Sequence, residues 1–348
     1  MKLTPETESL IGLLEDEHQL DHSGLSTLLG SEEPLPLYVA ADRGREKYLG
    51  RAVHLRGLIE FSSYCGRNCL YCGLRAANTK ISRFRMAPQE IIAYAKQGVD
   101  RGLKTIVLQS GEDHFFSLDE LCRIVHGIKS MDVAVTLSIG ERTEREYAAL
   151  KRAGADRYLL RIETTNQQLY TKLHPGMSYQ NRVRCLEDLK ALGYETGTGC
   201  LIGLPGQTRE MLTADLIFFK KLDADMIGMG PFIPCPGTPL ENETGGQVDT
   251  VLKMMALARL LLPTINMPAT TALGIKDSAG YEKGLSCGAN VIMPNIGGNQ
   301  YRKRYAIYPG KGEGSISLEG DLERIKSLLV QLGRTVGRDY GNRKGRAL

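Results

Sequence analysis

The chain has 348 residues, of which 42% are hydrophobic, and its formal net charge is +4. A chain of this length can form one large domain with an ample core, and so small a charge gives no reason to expect nucleic-acid binding. No apolar run approaches the roughly 18 residues of a membrane span, and eight cysteines without the dense spacing of a disulfide-rich domain fit a reducing compartment.

The first residues, MKLTPETESL, carry acidic side chains where a secretory signal has basic ones followed by an apolar block. We therefore expect a cytoplasmic protein that does not bind a membrane. From here to about residue 50 the sequence predicts helices, which form an N-terminal cap over residues 1–50.

After residue 50, short apolar runs alternate with amphipathic segments of helical periodicity, and glycines separate the pairs. Eight strand–helix units are the number that closes a parallel barrel. The predicted strands are 54–61, 105–109, 134–139, 158–163, 196–202, 226–232, 268–273 and 290–294.

The expected fold is therefore α/β, a complete parallel (βα)8 TIM-type barrel over residues 51–300. Residues 301–348 are expected to form a C-terminal closing segment of the same domain, with a helical cap. A doubly wound open sheet remains the alternative, because periodicity alone cannot show that a sheet closes.

The most specific motif is the run YCGRNCLYC, which directly follows the first predicted strand. Cys65, Cys69 and Cys72 at C-x3-C-x2-C spacing can hold three corners of a 4Fe–4S cluster through thiolate ligands. The fourth iron then stays open to the amino and carboxylate groups of S-adenosylmethionine (SAM), whose sulfonium an electron from the cluster can cleave. The triplet, with an aromatic residue at Tyr71 just before the last cysteine, resembles the signature of the radical SAM superfamily.

Two simpler interpretations of these cysteines remain. Cys69 and Cys72 could form a dithiol redox pair or half of a zinc site. Structural zinc, however, prefers four protein ligands, and no second C-x2-C or H-x3-H pair occurs in the sequence. A dithiol pair would not need Cys65.

Polar residues at the ends of the next strands can bind the functional groups of SAM, because barrel enzymes build their sites there. The run QSGED (109–113) ends the second strand, Glu163 ends the fourth, and the guanidinium of Arg182 at the following helix start suits a carboxylate. Each could instead be an ordinary turn, a solvated strand end or an exposed helix residue. The expected SAM contacts are Tyr71, Ser110, Gly111, Glu112, Ser138, Glu163 and Arg182.

Polar residues also interrupt strands that would otherwise be wholly apolar. They are Arg56, Thr136, Arg161, Thr270 and Thr271. Branched aliphatic side chains normally fill a barrel, and a buried charge needs a partner. We expect a cavity that holds an anionic ligand; the alternative is an ion pair at the barrel bottom, such as Arg56 with Glu60.

Longer segments resemble the family of HydE, the radical SAM maturases of FeFe-hydrogenase, within the group that includes biotin synthase and methylornithine synthase. The similarity runs from about residue 35 to the C-terminal end. Besides the cysteine motif it includes RFRMAPQEI, KTIVLQSGED, GADRYLLRIET, GPFIPCPGTPL and GRTVGRDYGNRK.

The resemblance implies a closed barrel with one 4Fe–4S cluster at one end of an internal cavity, and contacts to SAM from Tyr71, Ser138, Glu163 and Arg182. It implies an anion-binding interior lined by Arg56, Gln109, Thr136, Arg161, Thr270, Thr271, Tyr305 and Tyr308. The implied substrate is a sulfur-containing iron–cyanide–carbonyl–cysteine complex, an organometallic small molecule supplied by a partner maturase, on which the 5′-deoxyadenosyl radical acts. The implied partners are other hydrogenase maturases, bound transiently, and a low-potential electron donor. No residue is assigned as an acid or base.

The chain departs from some members of this family in the segment YPGKGEGSIS (308–317), which has none of their three further cysteines. We therefore expect no second cluster. Two other functions remain open: a methylornithine synthase-like mutase acting on lysine, and a scaffold that carries an iron–sulfur precursor without catalysis. Biotin synthase fits less well, because it needs further barrel cysteines for a second cluster.

Overall fold

The computed structural model describes residues 4–311 and 317–345. Residues 1–3, part of the N-terminal segment that is not expected to be a secretory signal, lie outside the described residues. So do residues 312–316, part of the segment that has no accessory cysteines. The proposed domain limits stay a prediction.

Three helices precede the sheet, as predicted: α1 (Pro5–Glu17), α2 (His22–Leu29) and α3 (Leu35–Leu49). The first two begin at side-chain caps, where Thr4 accepts from the Thr7 N–H and Asp21 from the Gly24 N–H. His18 joins this unit to a later helix through Nδ1, which lies 2.9 Å from the Leu260 carbonyl oxygen.

The remaining elements alternate between strands and helices. In chain order they are β1 (Ala52–Ser62), α4 (Pro88–Asp100), β2 (Thr105–Ser110), α5 (Leu118–Lys129), β3 (Ala134–Ser138), α6 (Glu144–Arg152), β4 (Arg157–Leu159), α7 (Gln167–Leu173), α8 (Tyr179–Ala191), β5 (Glu195–Thr198), β6 (Leu201–Ile202), α9 (Arg209–Lys221), β7 (Met226–Ile227), β8 (Gly230–Pro231), α10 (Val248–Leu261), α11 (Thr271–Lys276), α12 (Gly280–Ser286), β9 (Val291–Ile292), α13 (Asn299–Arg302), α14 (Leu318–Gln331) and β10 (Thr335–Val336).

Most strands form a curled parallel sheet in which β1, β2, β3, β4, β5 and β7 are neighbours in chain order, while β6 and β8 pair with each other in a separate parallel sheet. β1 also pairs with β9 and, at its beginning, with β10. This monotonic order differs from that of a doubly wound sheet, whose strand order reverses in the middle, so the alternative prediction is wrong. The prediction of a parallel α/β sheet is confirmed.

The predicted strand 268–273 is wrong in its second half. Between β7 and β9 the described chain makes only single parallel bridges, Met226 with Asn266 and Pro268 with Val291. The N–H groups of Leu273 and Gly274 then donate to the Thr270 carbonyl, so α11 begins where the strand was expected to continue. Two adjacent threonines indicated a strand, but the residues that follow them close a helical turn.

Alternation along the paired strands places one set of polar residues inside the curl. Arg56 is paired with Thr105, Thr136 with Arg157, and Gln109 with Ser138. Arg56 also reaches across to β7, where its Nη1 lies 3.1 Å from the Met226 sulfur. The sheet interior is therefore polar at several levels, as the sequence predicted.

The C-terminal segment lies across the N-terminal ends of the strands. The Gly341 carbonyl accepts from Arg56 Nη2 and from Asn266 Nδ2, each at 3.0 Å, and the Tyr340 carbonyl accepts from Arg157 Nη2 at 2.7 Å. These contacts come from the irregular chain after β10. α14 is a helix of the same C-terminal segment, and the helical cap expected there stays a prediction. Within the described residues, no helix has both the length and the apolar character needed to cross a membrane.

Replacing Arg157 tests this arrangement. Its guanidinium is paired with Glu195, and both side chains are at most 3% exposed. Because Arg157→Met leaves the buried Glu195 carboxylate without its cation, we expect the free energy of unfolding in urea to fall by about 3–5 kcal/mol. The matched control is Lys326→Met, which breaks an exposed pair with Glu323 and should cost less than about 1 kcal/mol. Equal losses in the two variants would contradict the assignment.

Candidate active site around the cysteine loop

The cysteine loop connects β1 to α4 at the C-terminal edge of the sheet. Cys65, Cys69 and Cys72 are free thiols and line one cavity of about 270 Å³. The same cavity is lined by residues that follow β2, β3 and β4. The sequence-based prediction that the cysteines lie at the mouth of the sheet is consistent with this placement.

A single arginine holds the loop at both ends. Arg83 Nη1 donates to the carbonyls of Ser63 and Leu74, at 2.7 and 3.0 Å. Its Nη2 donates to the carbonyls of Arg75 and Asn78, at 2.7 and 3.1 Å. The loop has no helix or strand of its own, so these four charge-assisted bonds fix the path of the segment that carries the thiols.

Gly111 allows the end of β2 to lie directly against the loop. A Cβ at this position would lie 2.2 Å from the Tyr64 carbonyl oxygen and 2.8 Å from the Cys65 Cβ. The backbone bonds here are Gly111 N–H to the Ser62 carbonyl and Gly66 N–H to the Glu112 carbonyl. Only glycine fits this contact, which explains the residue in the QSGED segment.

Burial raises the pKa of all three thiols, to about 12 for Cys69. A thiolate in this position needs a positive charge beside it, which the irons of a cluster supply. Among the described residues, no three His, Cys, Asp or Glu side chains converge on one metal ion. A cubane binds each cysteine at a different iron atom and does not need such convergence, so the three-thiol set fits a 4Fe–4S cluster.

Two glycine–glutamate pairs, Gly111–Glu112 after β2 and Gly140–Glu141 after β3, supply carboxylates near the thiols. Glu112 accepts from Arg67 Nε at 2.6 Å and from the Glu141 N–H at 3.0 Å. Glu141 accepts from Arg182 Nε at 2.8 Å, and Arg182 also donates through Nη1 to the Arg161 carbonyl. Since the carboxylate of Glu112 is used within the protein, only the backbone of 110–112 remains to bind a ligand.

Glu163 has the left-handed backbone conformation, with φ of 66°, although it is not a glycine. Its carboxylate accepts from Arg161 Nη2 at 2.7 Å, and its N–H donates to the Gly199 carbonyl at 3.0 Å. A non-glycine residue in this region is strained and is held there by its surroundings. The conformation directs Glu163 to the cavity instead of along the strand.

Tyr71 is held by a histidine that the sequence analysis did not select. Its hydroxyl lies 2.8 Å from His174 Nε2, and His174 Nδ1 lies 2.8 Å from the Tyr170 carbonyl. Burial lowers the pKa of His174 to about 4, so the imidazole is neutral near pH 7. Because the carbonyl can only accept, Nδ1 carries the proton and Nε2 accepts from the Tyr71 hydroxyl.

The structure brings most of the predicted residues to this one cavity. Besides the three cysteines, its lining includes Tyr71, Gln109, Ser110, Gly111, Glu112, Ser138, Arg161, Glu163, Arg182, Tyr305 and Tyr308.

Four predicted interior residues, Arg56, Thr136, Thr270 and Thr271, are not among the described lining residues of this cavity. Arg56 lies at the opposite end of the interior against Gly341, and Thr271 lines a neighbouring cavity of about 560 Å³ together with Glu60 and Lys311. The predicted alternative of an Arg56–Glu60 pair does not form, since Glu60 is paired with Lys311 and accepts from Asn295 at 2.6 Å.

Four of the predicted interior residues have a buried nitrogen or oxygen atom without a hydrogen-bond partner in residues 4–311 and 317–345. These atoms are Arg56 Nε, Thr136 Oγ1, Arg161 Nε and Thr270 Oγ1. Native proteins leave few buried polar atoms unpaired. A polar ligand or water could satisfy such atoms.

Sequence reasoning missed Arg67, Arg83, Glu141 and His174. One signal was present: the third strand ends in Gly140–Glu141, as the second ends in Gly111–Glu112. A Cβ on Gly140 would lie 2.5 Å from the Glu112 Cγ, so the two pairs interlock. For His174 the local sequence gave no signal, because its partner Tyr71 is 103 residues away.

Comparison with known proteins gives a consistent result. The family model of the radical SAM superfamily matches residues 59–218. The [FeFe] hydrogenase maturase subunit HydE of Thermotoga maritima is 52% identical over 311 residues, which are 88% of each chain. The 3-methylornithine synthase of Methanosarcina acetivorans is 31% identical, covering 90% of this chain and 89% of that one. The crystal structure of a methylornithine synthase superposes with a TM-score of 0.83 at 28% identity, covering 94% and 97%.

Gly111→Ala tests the contact between β2 and the cysteine loop. The added Cβ forces Tyr64 and Cys65 away, which we expect to lower the free energy of unfolding by about 1–3 kcal/mol and to reduce the iron bound per chain after anaerobic reconstitution. Gly12→Ala is the matched control, because a Cβ there meets nothing within 4 Å. Iron content equal to wild type in both variants would show that the close approach is not required.

The neutral state of His174 predicts a pH dependence. In the unfolded chain this imidazole binds a proton below about 6.5, whereas the native one does so only near pH 4, so native stability falls as the pH drops through this window. The contribution is at most about 1.4 kcal/mol per pH unit. The difference in unfolding free energy between wild type and His174→Gln should therefore shrink from pH 7 to pH 5. Tyr71→Phe keeps the buried imidazole and should keep the slope; a constant difference for His174→Gln would refute the assignment.

Proposed function

Because the chain belongs to the radical SAM family that includes the maturase HydE, we propose that it acts on a sulfur-containing iron–cyanide–carbonyl–cysteine precursor of the FeFe-hydrogenase active site. The chain is a radical SAM enzyme. The observation that carries the proposal is that the three cysteines and all seven predicted SAM contacts line a single cavity. A scaffold without catalysis would not need such a set beside the thiols.

Cys65, Cys69 and Cys72 would hold one 4Fe–4S cluster. When bound, this group supplies the electron that cleaves SAM to methionine and the 5′-deoxyadenosyl radical. The protein's own contribution is positional. Arg83 and Gly111 fix the loop that presents the three thiols, and residues 110–112 line the same cavity, where their backbone would bind the ammonium group of SAM.

The charged residues of the cavity match the remaining groups of SAM. Arg182 uses Nε and Nη1 within the protein, and its Nη2 has no partner among the described residues, so this nitrogen can donate to a carboxylate. Glu163, strained toward the cavity, can accept from a ribose diol or an ammonium. Tyr71, oriented by His174, offers an aromatic face to the adenine.

The unpaired interior atoms favour an anionic substrate. Arg161, which lines the cavity, presents an N–H that no described residue accepts, and an anion or a cyanide nitrogen would satisfy such a donor. The carboxylate of lysine, the substrate in the methylornithine synthase alternative, would satisfy such a donor as well, so the choice of substrate rests on the 52% identity to HydE against 31% to the synthase. The similarity to that enzyme therefore supports the fold more than the substrate.

We also propose that the curled sheet closes into a complete barrel around the substrate. The single bridges between β7 and β9 continue the circle, and the segment 340–343 lies across its lower end. A closed interior would keep a reactive radical away from solvent. The substrate would arrive from another maturase through transient contact in the cytoplasm, and one cluster would suffice.

The decisive experiment is anaerobic reconstitution followed by dithionite and SAM. Wild type should form 5′-deoxyadenosine, and Cys69→Ala should form none because the cluster loses one of its three ligands. Cys122→Ala is the matched control, since this thiol lies on α5 and not in the cavity. Turnover with the organometallic precursor and not with lysine supports the proposed substrate. Methylornithine formed from lysine would replace it with the alternative, and failure of wild type to cleave SAM would refute the proposal.

A further inference from the structure

The cysteine loop has an unusual charge distribution. Residues 61–89 contain Arg67, Arg75, Lys80, Arg83 and Arg85 and no aspartate or glutamate, in a chain that has 40 acidic residues. Arg67 is neutralised inside the cavity by Glu112 and Glu141. None of the other four cations lines the cavity, and one of them, Arg85, is paired with Asp113.

Several of the cations in and beside the loop are not paired with a carboxylate. Arg83 donates only to backbone carbonyls, and Arg304 donates to the carbonyls of Ser82 and Arg83. Lys80, two residues before Ser82, and Lys303, directly before Arg304, are exposed, and no carboxylate of residues 4–311 or 317–345 pairs with either one. A positive surface without internal neutralisation attracts an acidic partner and steers its approach.

Aromatic rings continue this surface. Tyr64, directly before Cys65, is 37% exposed and Phe115 is 64% exposed. The guanidinium carbon of Arg85 lies between them, 3.7 Å from the centre of the Tyr64 ring and 4.3 Å from that of Phe115. Asp113 fixes Arg85 through two bonds of 2.7 and 3.0 Å. Rigid exposed aromatics stacked on an arginine are typical of protein interfaces.

These residues form one patch next to the thiols. We call Tyr64, Lys80, Arg85, Phe115, Lys303 and Arg304 the loop patch. Tyr64 is bonded to Cys65, and the Gly73 N–H donates at 3.0 Å to the Ile307 carbonyl, which brings the segment after Arg304 beside Cys72. None of the six is a described lining residue of the cavity. A protein bound here would approach the thiols and leave the SAM cavity open.

We propose that the loop patch docks an acidic one-electron carrier protein whose redox centre lies near its own surface. This inference rests on the proposed function, which requires one electron for each SAM that is cleaved. The carrier is oxidised by one electron and the cluster is reduced by one; no bond forms between the two proteins. The charge of the patch selects an acidic carrier, and Tyr64, which directly precedes Cys65, places the patch beside the thiols.

The test compares two ways of reducing the same enzyme. The variant is Lys80→Glu with Lys303→Glu, and the control with the same charge change is Lys221→Glu with Lys326→Glu on distant exposed positions. 5′-Deoxyadenosine formation is measured with enzymatically reduced flavodoxin, an acidic carrier, and separately with dithionite and with reduced methyl viologen. The two chemical reductants have opposite charges and need no docking site.

We expect the KM for flavodoxin to rise about tenfold in the patch variant, with a weaker dependence on salt, while rates with both chemical reductants stay within about twofold. Phe115→Ala should raise the same KM without changing the salt dependence. An unchanged KM in the patch variant, or an equal change in the control, overturns the proposal.

A binding measurement separates this proposal from the proposed function. Anaerobic calorimetry with flavodoxin needs no turnover, so it can be done even if wild type does not cleave SAM. Affinity that is lower in the patch variant than in wild type and control supports docking. Equal affinity of flavodoxin for all three proteins overturns the proposal. If another maturase or nucleic acid binds more weakly to the patch variant while flavodoxin does not, the patch serves a different partner.

Discussion

The parallel register of β1, β2 and β3 is the constraint from which the site follows. Glu60, Gln109 and Ser138 are neighbours across these strands, so the strands end at one level. The loops that leave them therefore meet at one edge, and the thiols line the same cavity as Gly111, Glu112 and Gly140 from the neighbouring strand ends. The chemistry of the site therefore depends on the common level at which these strands end more than on any single side chain.

The register alone does not determine the path of the 25-residue connection between β1 and α4. Hydrogen bonds from a charged side chain fix that path. Arg83 binds four carbonyls of the loop and Gly111 lets the neighbouring strand touch it. A bond to a charged donor contributes about 1.5–3 kcal/mol, so one arginine can order a segment without regular structure. The same choice leaves the outer face of the loop positive, which links the rigidity of the site to the partner inferred for it.

The sequence was sufficient for the strand order, the N-terminal helices and the clustering of the predicted SAM contacts, because periodicity and strand-end positions are local signals. It was insufficient where a residue acts through a distant partner. Arg56 and Arg157 are held by Gly341 and Tyr340, and Tyr71 by His174, and no local pattern links these positions. Glu112 was selected correctly for the cavity, but its carboxylate binds Arg67 and Glu141. Thr271 begins a helix because the turn after Thr270 closes, which two β-branched residues did not predict.

The segment 340–343 has a consequence for how the chain acquires its structure. The bond from Arg56 to Gly341 joins residues separated by 285 positions. Gly341 follows every strand of the sheet in the chain, so the guanidinium groups at the lower end of the sheet stay hydrated until this segment has been synthesised. Contacts between such distant residues slow folding. Completion of this end therefore comes late in folding, and a chain truncated before residue 340 lacks the carbonyls to which the buried Arg56 and Arg157 donate.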